Sequence, residues 1–194
     1  MQRPLRVMIV DDRPERAEIL SAALAHAGYT VVARVGGRAD LAQRVFEIQP
    51  DVIIVDMECP DRDTLEDMSR ITRDRPCPTV MFVDRSDDDS IRAAVQAGVS
   101  AYVVGGLHAE RVKPVLEVAI ARFNEFQTLR RELATARSSL EERKVVERAK
   151  GILMKRRGMD EEAAFRALRK MAMDRKVRLA TIAREVVAAS ELLT

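Results

Sequence analysis

Short apolar runs alternate with helical segments over the first hundred residues. The runs at 5–10, 30–35, 52–55, 79–83 and 101–104 have the length and β-branched content of strands. Between them, the patterns at 14–27, 40–48, 64–73 and 90–97 predict helices. The first run is apolar enough to be buried on both faces, as in a parallel sheet. The alternation predicts an α/β doubly wound domain with a five-stranded parallel sheet.

From position 107 onward the pattern is continuously helical, and apolar residues recur every three or four positions from 112 to 140. We call the set Phe123, Phe126, Leu129, Leu133 and Leu140 the apolar seam. Packing against the preceding domain explains the early part of the pattern, up to about Ala119. It leaves the later part uncovered, so we expect a homodimer seam or a docking surface for a partner protein.

The last quarter of the chain predicts three short amphipathic helices that close a bundle. Gly158 ends the first, because a residue just past a helix end often needs a positive φ. Asp160 is placed to cap the second. The predicted buried faces are Val145, Ala149, Ile152, Leu153 and Arg156; Ala164, Leu168, Met171 and Ala172; and Leu179, Ile182, Ala183, Val186, Ser190 and Leu193. Without a Gly/Ser linker, one long helix beginning near Arg111 is expected to join the domains.

Composition narrows the class of protein. The 194 residues suffice for one ordinary domain and a small one. No apolar run approaches the ~20 residues of a membrane span, and no signal peptide precedes the first strand. The two cysteines, Cys59 and Cys77, lack the spacing of a metal site or a disulfide framework. We therefore expect a cytoplasmic protein that does not contact a membrane.

Charge is distributed unevenly along the chain. Residues 141–194 carry 14 Lys and Arg against 9 Asp and Glu, a balance of +5. The preceding residues carry 19 and 22, a balance of −3. A basic C-terminal segment behind an acidic domain is typical of a nucleic-acid-binding module joined to a different kind of domain.

Three carboxylates are expected at one edge of the sheet. Asp11 and Asp12 follow the first strand and Asp56 follows the third, and functional groups of such sheets gather at the carboxyl ends of strands. Carboxylates that converge there can hold a divalent cation such as Mg²⁺. An Asp beside that cation is a plausible phosphoryl acceptor, and we take Asp56 as the candidate. No cofactor is otherwise required.

Residues 5–121 resemble the receiver domain of response regulators. The resemblance is carried by Val10-Asp11-Asp12, Val55-Asp56, Pro60 and Gln96-Ala97-Gly98. It implies a flavodoxin-like fold and a sensor kinase as a possible partner. The chain departs from receivers where they carry a Thr or Ser after the fourth strand, a Lys after the fifth and an Asp-Gly pair after the third. The residues here are Val83, Gly105-Gly106 and Asp63-Thr64.

The departures leave two interpretations of Asp56. It is either a phosphorylation site with weakened signalling or an acid kept by the fold that at most binds Mg²⁺. The hydroxyl that follows the phosphoryl group and the ammonium that binds it are both missing from their usual positions. We therefore predict that phosphorylation of Asp56 is not the main switch.

Residues 135–194 resemble the ANTAR domain, an RNA-binding module of bacterial transcription antiterminators. The resemblance is carried by Arg148-Ala149-Lys150-Gly151-Ile152-Leu153-Met154, Gly158, Ala163-Ala164-Phe165, Leu168-Arg169, Ala180 and Ala183. The candidate RNA-binding residues are Arg143, Lys144, Arg148, Lys150, Met154, Arg157, Arg166, Arg169 and Lys170. Phe165, the sole aromatic residue after position 141, is expected in the core, so we expect phosphate contacts rather than base stacking.

The whole chain looks especially like the nitrate-responsive NasT regulators, in the stretches 81–87, 98–104 and 189–193. That resemblance implies an antiterminator that binds hairpins in leader transcripts of nitrate-assimilation genes and is held inactive by a nitrate-sensing partner. The expected domains are a receiver at 1–121, a coiled-coil-like helical linker at 122–134 and an ANTAR domain at 135–194.

Three other classes of function are compatible with parts of the sequence. A phosphorelay regulator that acts on DNA or on another protein would share the receiver, but the third C-terminal helix has only Arg184 as a basic residue after Arg178. A protein-binding adaptor would not need the basic segment. An enzyme is disfavoured, because His26 and His108 lie in helical contexts without partners in sequence and no Ser/His/Asp or Cys/His arrangement is present.

Overall fold

The computed structural model describes residues 3–36 and 40–191. The chain forms two compact units, Met1–Gln127 and Thr128–Thr194. The division falls inside one continuous helix and within the segment 122–134 that the sequence predicts as a linker. None of the helices in the described residues is long and apolar enough to cross a membrane.

The first unit is built on a parallel sheet of five strands in the order β2-β1-β3-β4-β5. The strands are β1 Arg6–Asp11, β2 Thr30–Val35, β3 Val52–Met57, β4 Thr79–Val83 and β5 Ala101–Val104. Strands β1 and β3 are neighbours, and Asp11 is the register partner of Asp56. Both carboxylates therefore belong to the ends of their strands, as the sequence predicts, and face the same edge of the sheet.

Helices cover both faces of this sheet, which confirms the doubly wound, flavodoxin-like α/β fold. They are α1 Pro14–His26, α2 Leu41–Ile48, α3 Arg62–Asp74, α4 Asp88–Gln96 and the start of α5, Ala109–Arg157. One core layer joins α2, α3 and α4 to Met8, Val10 and their neighbours. The other joins α1 and α5 to Val7, Ile9 and theirs. Successive residues of β1 thus point to opposite cores, which is why the strand is apolar throughout.

Aspartates set the starts of four helices. Asp40, Asp61, Asp87 and Asp160 each accept a hydrogen bond from the backbone N–H three residues later, which satisfies a donor that the helix leaves unpaired. As a result α3 and α4 begin two residues before the predicted Thr64 and Ser90. The predicted cap at Asp160 is confirmed.

The second unit is a bundle of the last part of α5, α6 Glu161–Asp174 and α7 Leu179–Glu191. Its hydrophobic core cluster contains the buried residues Ala149, Leu168, Ala172, Ile182 and Ala183. The predicted first helix of the bundle is the end of the long joining helix that the sequence predicts near Arg111, since α5 runs without a break from Ala109 to Arg157. Gly158 then takes a φ of +65°, as predicted for the position after the helix.

Two positions of the predicted buried helix faces, Met171 and Arg156, are wrong. Met171 is exposed, because Ala164, Leu168 and Ala172 form the side of α6 that faces the core. Arg156 is also exposed, and its Nη2 donates to the carbonyl oxygen of Ser190 at 3.1 Å. The predicted contact of Leu193 lies outside the described residues.

Candidate functional site

The acceptor candidate, Asp56, is almost completely buried at the end of β3. Beside it, Asp11 is half-buried and its Oδ1 accepts a hydrogen bond from the backbone N–H of Arg13 at 2.7 Å. Two buried carboxylate oxygens have no hydrogen-bond partner in the described residues, Asp11 Oδ2 and Asp56 Oδ1. Buried acceptors are normally paired, so this edge of the sheet retains unused capacity for a cation or a donor.

A cation reaches Asp56 from α1. Arg16 Nη1 lies 3.5 Å from Asp56 Oδ2 and 3.3 Å from Asp84 Oδ1. Arg13 Nη1 lies 3.1 Å from the other oxygen of Asp84. Gly105 and Gly106 carry no charged side chain at the position where receivers have a lysine, and the positive charge beside Asp56 comes from Arg16 of α1 instead.

Arg13, Arg16 and Asp84 are site residues that sequence reasoning missed. A signal was present, since both arginines follow Asp11-Asp12 within a turn of α1 and Asp84 directly follows β4. All three therefore had to lie near the carboxyl ends of β1 and β4.

Burial dominates the electrostatics of the pocket. It raises the pKa of Asp56 to about 6, an effect that the Arg16 guanidinium opposes and the Asp11 carboxylate reinforces. Burial also raises the pKa of Asp11. At Asp84 the outcome is the opposite, because hydrogen bonds and charge from Arg13 and Arg16 outweigh burial and lower its pKa. Burial and the Asp11 carboxylate thus oppose ionisation of Asp56, and the Arg16 guanidinium favours it.

The other departures from receivers lie at the ends of β4 and β5. Val83 is fully buried at the end of β4, where a receiver carries a hydroxyl. Gly105 and Gly106 have φ of +96° and +75°, a region that favours glycine. A Cβ on Gly106 would lie 2.9 Å from Asp84 Oδ1 and 3.6 Å from Arg16 Nη2. A larger residue at 106 would therefore collide with the Asp84 carboxylate in its present position.

The acidic edge fits a hard cation in part. The unpartnered oxygens of Asp11 and Asp56 are ligands of the type that Mg²⁺ prefers, and a bound ion would neutralise charge on a transferring phosphoryl group. The predicted third ligand, Asp12, is exposed. Across residues 3–36 and 40–191, no three His, Cys, Asp or Glu side chains are grouped to hold a metal ion. The three predicted carboxylates thus do not form such a group, and Mg²⁺ stays a prediction based on Asp11 and Asp56.

The candidate RNA-binding residues of the second unit separate into groups by their ion pairs. Lys144, Arg148 and Arg166 are exposed and paired with Glu141, Glu191 and Glu162. Arg143, Arg157, Arg169 and Lys170 are exposed and form no ion pair with any residue the structure describes. Met154 is also exposed. The unpaired group is the most available to an anionic ligand.

Lys150 is different from the other candidates, because it is buried. Its Nζ lies 2.8 Å from Glu147 and 2.7 Å from Glu161, and these hydrogen bonds raise the pKa of Lys150. The ammonium therefore links α5 to the first turn of α6. Its donors are already used, which makes it a poor phosphate contact in this conformation.

Phe165 is not in the core, contrary to the prediction. It is 38% exposed, because Ala164 and Leu168 occupy the inner face of α6. Its ring lines a surface depression together with Arg143, Val146 and Arg178. The bundle thus presents one aromatic ring beside an unpaired guanidinium, an arrangement that suits a nucleotide base and its phosphate.

The apolar seam is largely uncovered. Phe126, Leu129, Leu133 and Leu140 are each more than half exposed, although all are large and apolar. Phe123 is the exception, since it is half-buried and lines a depression with Pro50, Cys77 and Ile120 of its own unit. Phe123 therefore belongs in part to the first unit, while the rest of the seam faces away from the cores.

Comparison with known families accounts for both units. Residues 7–117 match the response regulator receiver domain and residues 134–187 match the ANTAR domain. The transcriptional regulatory protein PdtaR of Mycobacterium tuberculosis is 34% identical over 184 residues, which cover 95% of this chain and 90% of that protein. The nitrate regulatory protein of Klebsiella oxytoca is 44% identical over 80 residues, 41% of this chain and 20% of that protein.

Solved structures resemble the first unit in fold. The receiver domain of a modulated diguanylate cyclase from Desulfovibrio desulfuricans has a TM-score of 0.54 and 22% identity, covering 62% of this chain and 97% of that one. The receiver domain of a LuxO repressor protein from Vibrio parahaemolyticus has a TM-score of 0.55 and 20% identity, covering 65% and 97%. Sequence, fold and full-length similarity agree: the chain belongs to the response regulators that join a receiver domain to a C-terminal ANTAR domain.

Proposed function

We propose that this protein is an RNA-binding transcription antiterminator that acts on hairpins in leader transcripts. The ANTAR match over 134–187 is the observation that carries the proposal. The exposed, unpaired Arg143, Arg157, Arg169 and Lys170 support it, because phosphate contacts supply most of the affinity for nucleic acid. A regulator of this kind needs no catalytic site of its own.

The surface around Phe165 suggests how a hairpin loop is read. Arg143 would contact a phosphate, and the exposed ring of Phe165 would stack on an unpaired loop base. Bases in a hairpin loop can be splayed out, whereas those of a duplex remain stacked. The proposed mode therefore favours a structured RNA over duplex DNA.

We further propose that the target genes serve nitrate or nitrite assimilation and that a nitrate-sensing protein masks the regulator. Support comes from the 44% identity to a nitrate regulatory protein over 80 residues and from the uncovered seam. To change the regulator from about 1% to about 99% free, the sensor needs about 5.5 kcal/mol of differential affinity between its ligand states. A homodimer through the same seam is compatible with such masking.

In this proposal the phosphoryl state of Asp56 is not the main switch, because Val83 has no hydroxyl to report it. We expect Asp56→Asn to leave nitrate induction of an antitermination reporter unchanged in cells. Asn is nearly isosteric, cannot hold a stable phosphoryl group, and leaves Arg16 its contact with Asp84. The measurement is reporter expression with and without nitrate in otherwise identical strains.

A strain without the regulator and one with the wild-type chain bracket the reporter range. Normal induction by Asp56→Asn supports control by a masking partner. A variant that remains off with nitrate present would show that phosphorylation controls the regulator despite Val83 and Gly105. If reporter expression is the same with and without nitrate in both the wild-type strain and the Asp56→Asn strain, the nitrate assignment is contradicted.

A second candidate is a phosphorelay regulator that acts on DNA or on another protein. Regulators of this kind also contain a receiver domain, so the receiver match alone does not distinguish them from an RNA-binding antiterminator. DNA recognition by a helix in the major groove needs several base-reading side chains. The last helix, α7, contains one basic residue, Arg184, over Leu179–Glu191. The charge of the bundle lies instead on α5 and α6, which favours the RNA proposal.

A further inference from the structure

One guanidinium is shared between the acceptor carboxylate and a second acid. Arg16 Nη1 lies 3.5 Å from Asp56 Oδ2 and 3.3 Å from Asp84 Oδ1, and Arg16 Nη2 lies 3.4 Å from Asp84 Oδ1. The Asp56 side chain is fully buried, whereas 34% of the Arg16 side chain is exposed. Arg16 thus connects a buried carboxylate to the surface of the pocket.

A second guanidinium in the same pocket has an unused donor. Arg13 Nη1 donates to Asp84 Oδ2 at 3.1 Å, but Arg13 Nη2 is buried and no acceptor among the described residues lies within hydrogen-bond distance of it. The pocket therefore holds an unpaired donor on Arg13 and unpaired carboxylate oxygens on Asp11 and Asp56. An oxyanion attached to Asp56 would supply acceptors for these guanidinium groups.

We propose that the acceptor pocket is an oxyanion site in which Arg16 is the binding cation and Asp84 is the internal anion that a bound oxyanion displaces. Arg13 is the second donor. The ligand class is a phosphoryl-type oxyanion carried by the Asp56 carboxylate. This arrangement supplies from α1 the positive charge that Gly105 and Gly106 do not supply after β5.

Asp84 and Arg16 have opposite roles in this site, although they form one ion pair. Arg16 attracts the incoming oxyanion, so replacing it with Gln removes a charge-assisted contact. Asp84 repels the oxyanion and competes for the donors of Arg13 and Arg16, so replacing it with Asn frees them. Both substitutions break the same ion pair. If that pair only stabilised the fold of the pocket, both substitutions would weaken anion binding.

The test is a titration of the full chain with beryllofluoride in the presence of Mg²⁺, followed by ¹⁹F NMR of the bound probe. Beryllofluoride binds a carboxylate in the manner of a phosphoryl group. We expect Arg16→Gln to weaken binding about tenfold or more, from the loss of one charged contact. We expect Asp84→Asn to tighten binding severalfold. Arg16→Lys keeps the charge and should bind between the wild type and Arg16→Gln.

Three controls make the result decisive. Asp56→Asn should give no bound signal, and Arg62→Gln, which breaks an exposed pair with Glu66, should bind as the wild type does. Thermal unfolding of each variant reports loss of structure separately. The proposal is overturned if Arg16→Gln binds as tightly as the wild type, if Arg16→Lys binds no better than Arg16→Gln, or if Asp84→Asn also weakens binding. An absence of bound probe on the wild-type chain would overturn it too, and would leave RNA binding by the second unit untouched.

Discussion

Replacing Arg143, Arg157 and Arg169 together with Ala is expected to weaken binding of a hairpin RNA about a hundredfold, on the order of fivefold for each lost phosphate contact. The three guanidinium groups are exposed and form no ion pair within the described residues, so they are available to phosphates. The slope of log K against log salt should fall by about two to three units. Fluorescence anisotropy at several salt concentrations measures both quantities.

A matched variant separates contact from net charge. Replacing Arg44, Arg62 and Arg92 with Ala removes the same charge from exposed positions of the first unit, and should leave the slope almost unchanged. Lys150→Met offers a second comparison, because that ammonium is already held by Glu147 and Glu161. Lys150→Met should lower the free energy of unfolding of the bundle and leave the slope of log K against log salt almost unchanged. Equal slopes of log K against log salt for the two triple variants would show that the RNA does not bind at Arg143, Arg157 and Arg169.

Replacing Leu133 with Asp is expected to abolish assembly through the apolar seam. Leu133 is 51% exposed in the single chain, so the substitution does little to the fold of the chain itself. In a helix–helix interface it would bury an unpaired carboxylate, which costs roughly 3 kcal/mol or more. That corresponds to a change of more than a hundredfold in the association constant. Light scattering and pull-down of the sensor partner measure the effect.

Ser138→Asp is the appropriate control for this prediction. It adds the same charge to an exposed position of α5, and its helical spacing places it away from Leu133 and Leu140. It should leave the assembly state and partner binding unchanged. If Leu133→Asp also retains both, the seam is not an interface, and its exposure would have no role in assembly.

The fold of the first unit could be predicted because its strands are short apolar runs separated by turn residues. The two-sided burial of β1 follows directly from Val7–Val10. Helix starts were less well placed, since the caps at Asp61 and Asp87 lie before the first apolar residue of each helix. The long helix α5 could be predicted from its continuous helical pattern and the absence of a Gly/Ser linker, although its exposed middle section is stabilised by backbone bonds and charged surface residues rather than by a core.

The sites were predicted less completely than the fold. The sequence brought Asp11 and Asp56 together, because parallel strands end at one edge. It did not identify Arg16, since an arginine four positions after Asp12 reads equally well as a surface residue of α1. Phe165 is predicted in the core but is exposed, and Lys150, a predicted RNA contact, is buried and held by Glu147 and Glu161. Which helical positions face the core depends on the crossing of α5, α6 and α7, and small residues such as Ala149 and Ala164 mark that face only weakly.

Binding of a hairpin RNA and of a DNA duplex of equal length, measured under the same salt conditions, tests the central claim most directly. The full chain should bind a leader hairpin with a steep salt dependence, and unlabelled hairpin should compete far better than the duplex. Phe165→Ala should reduce the preference for the hairpin, because it removes the exposed ring beside Arg143. Equal or tighter binding of the duplex would contradict an RNA-directed function and support the DNA-binding alternative.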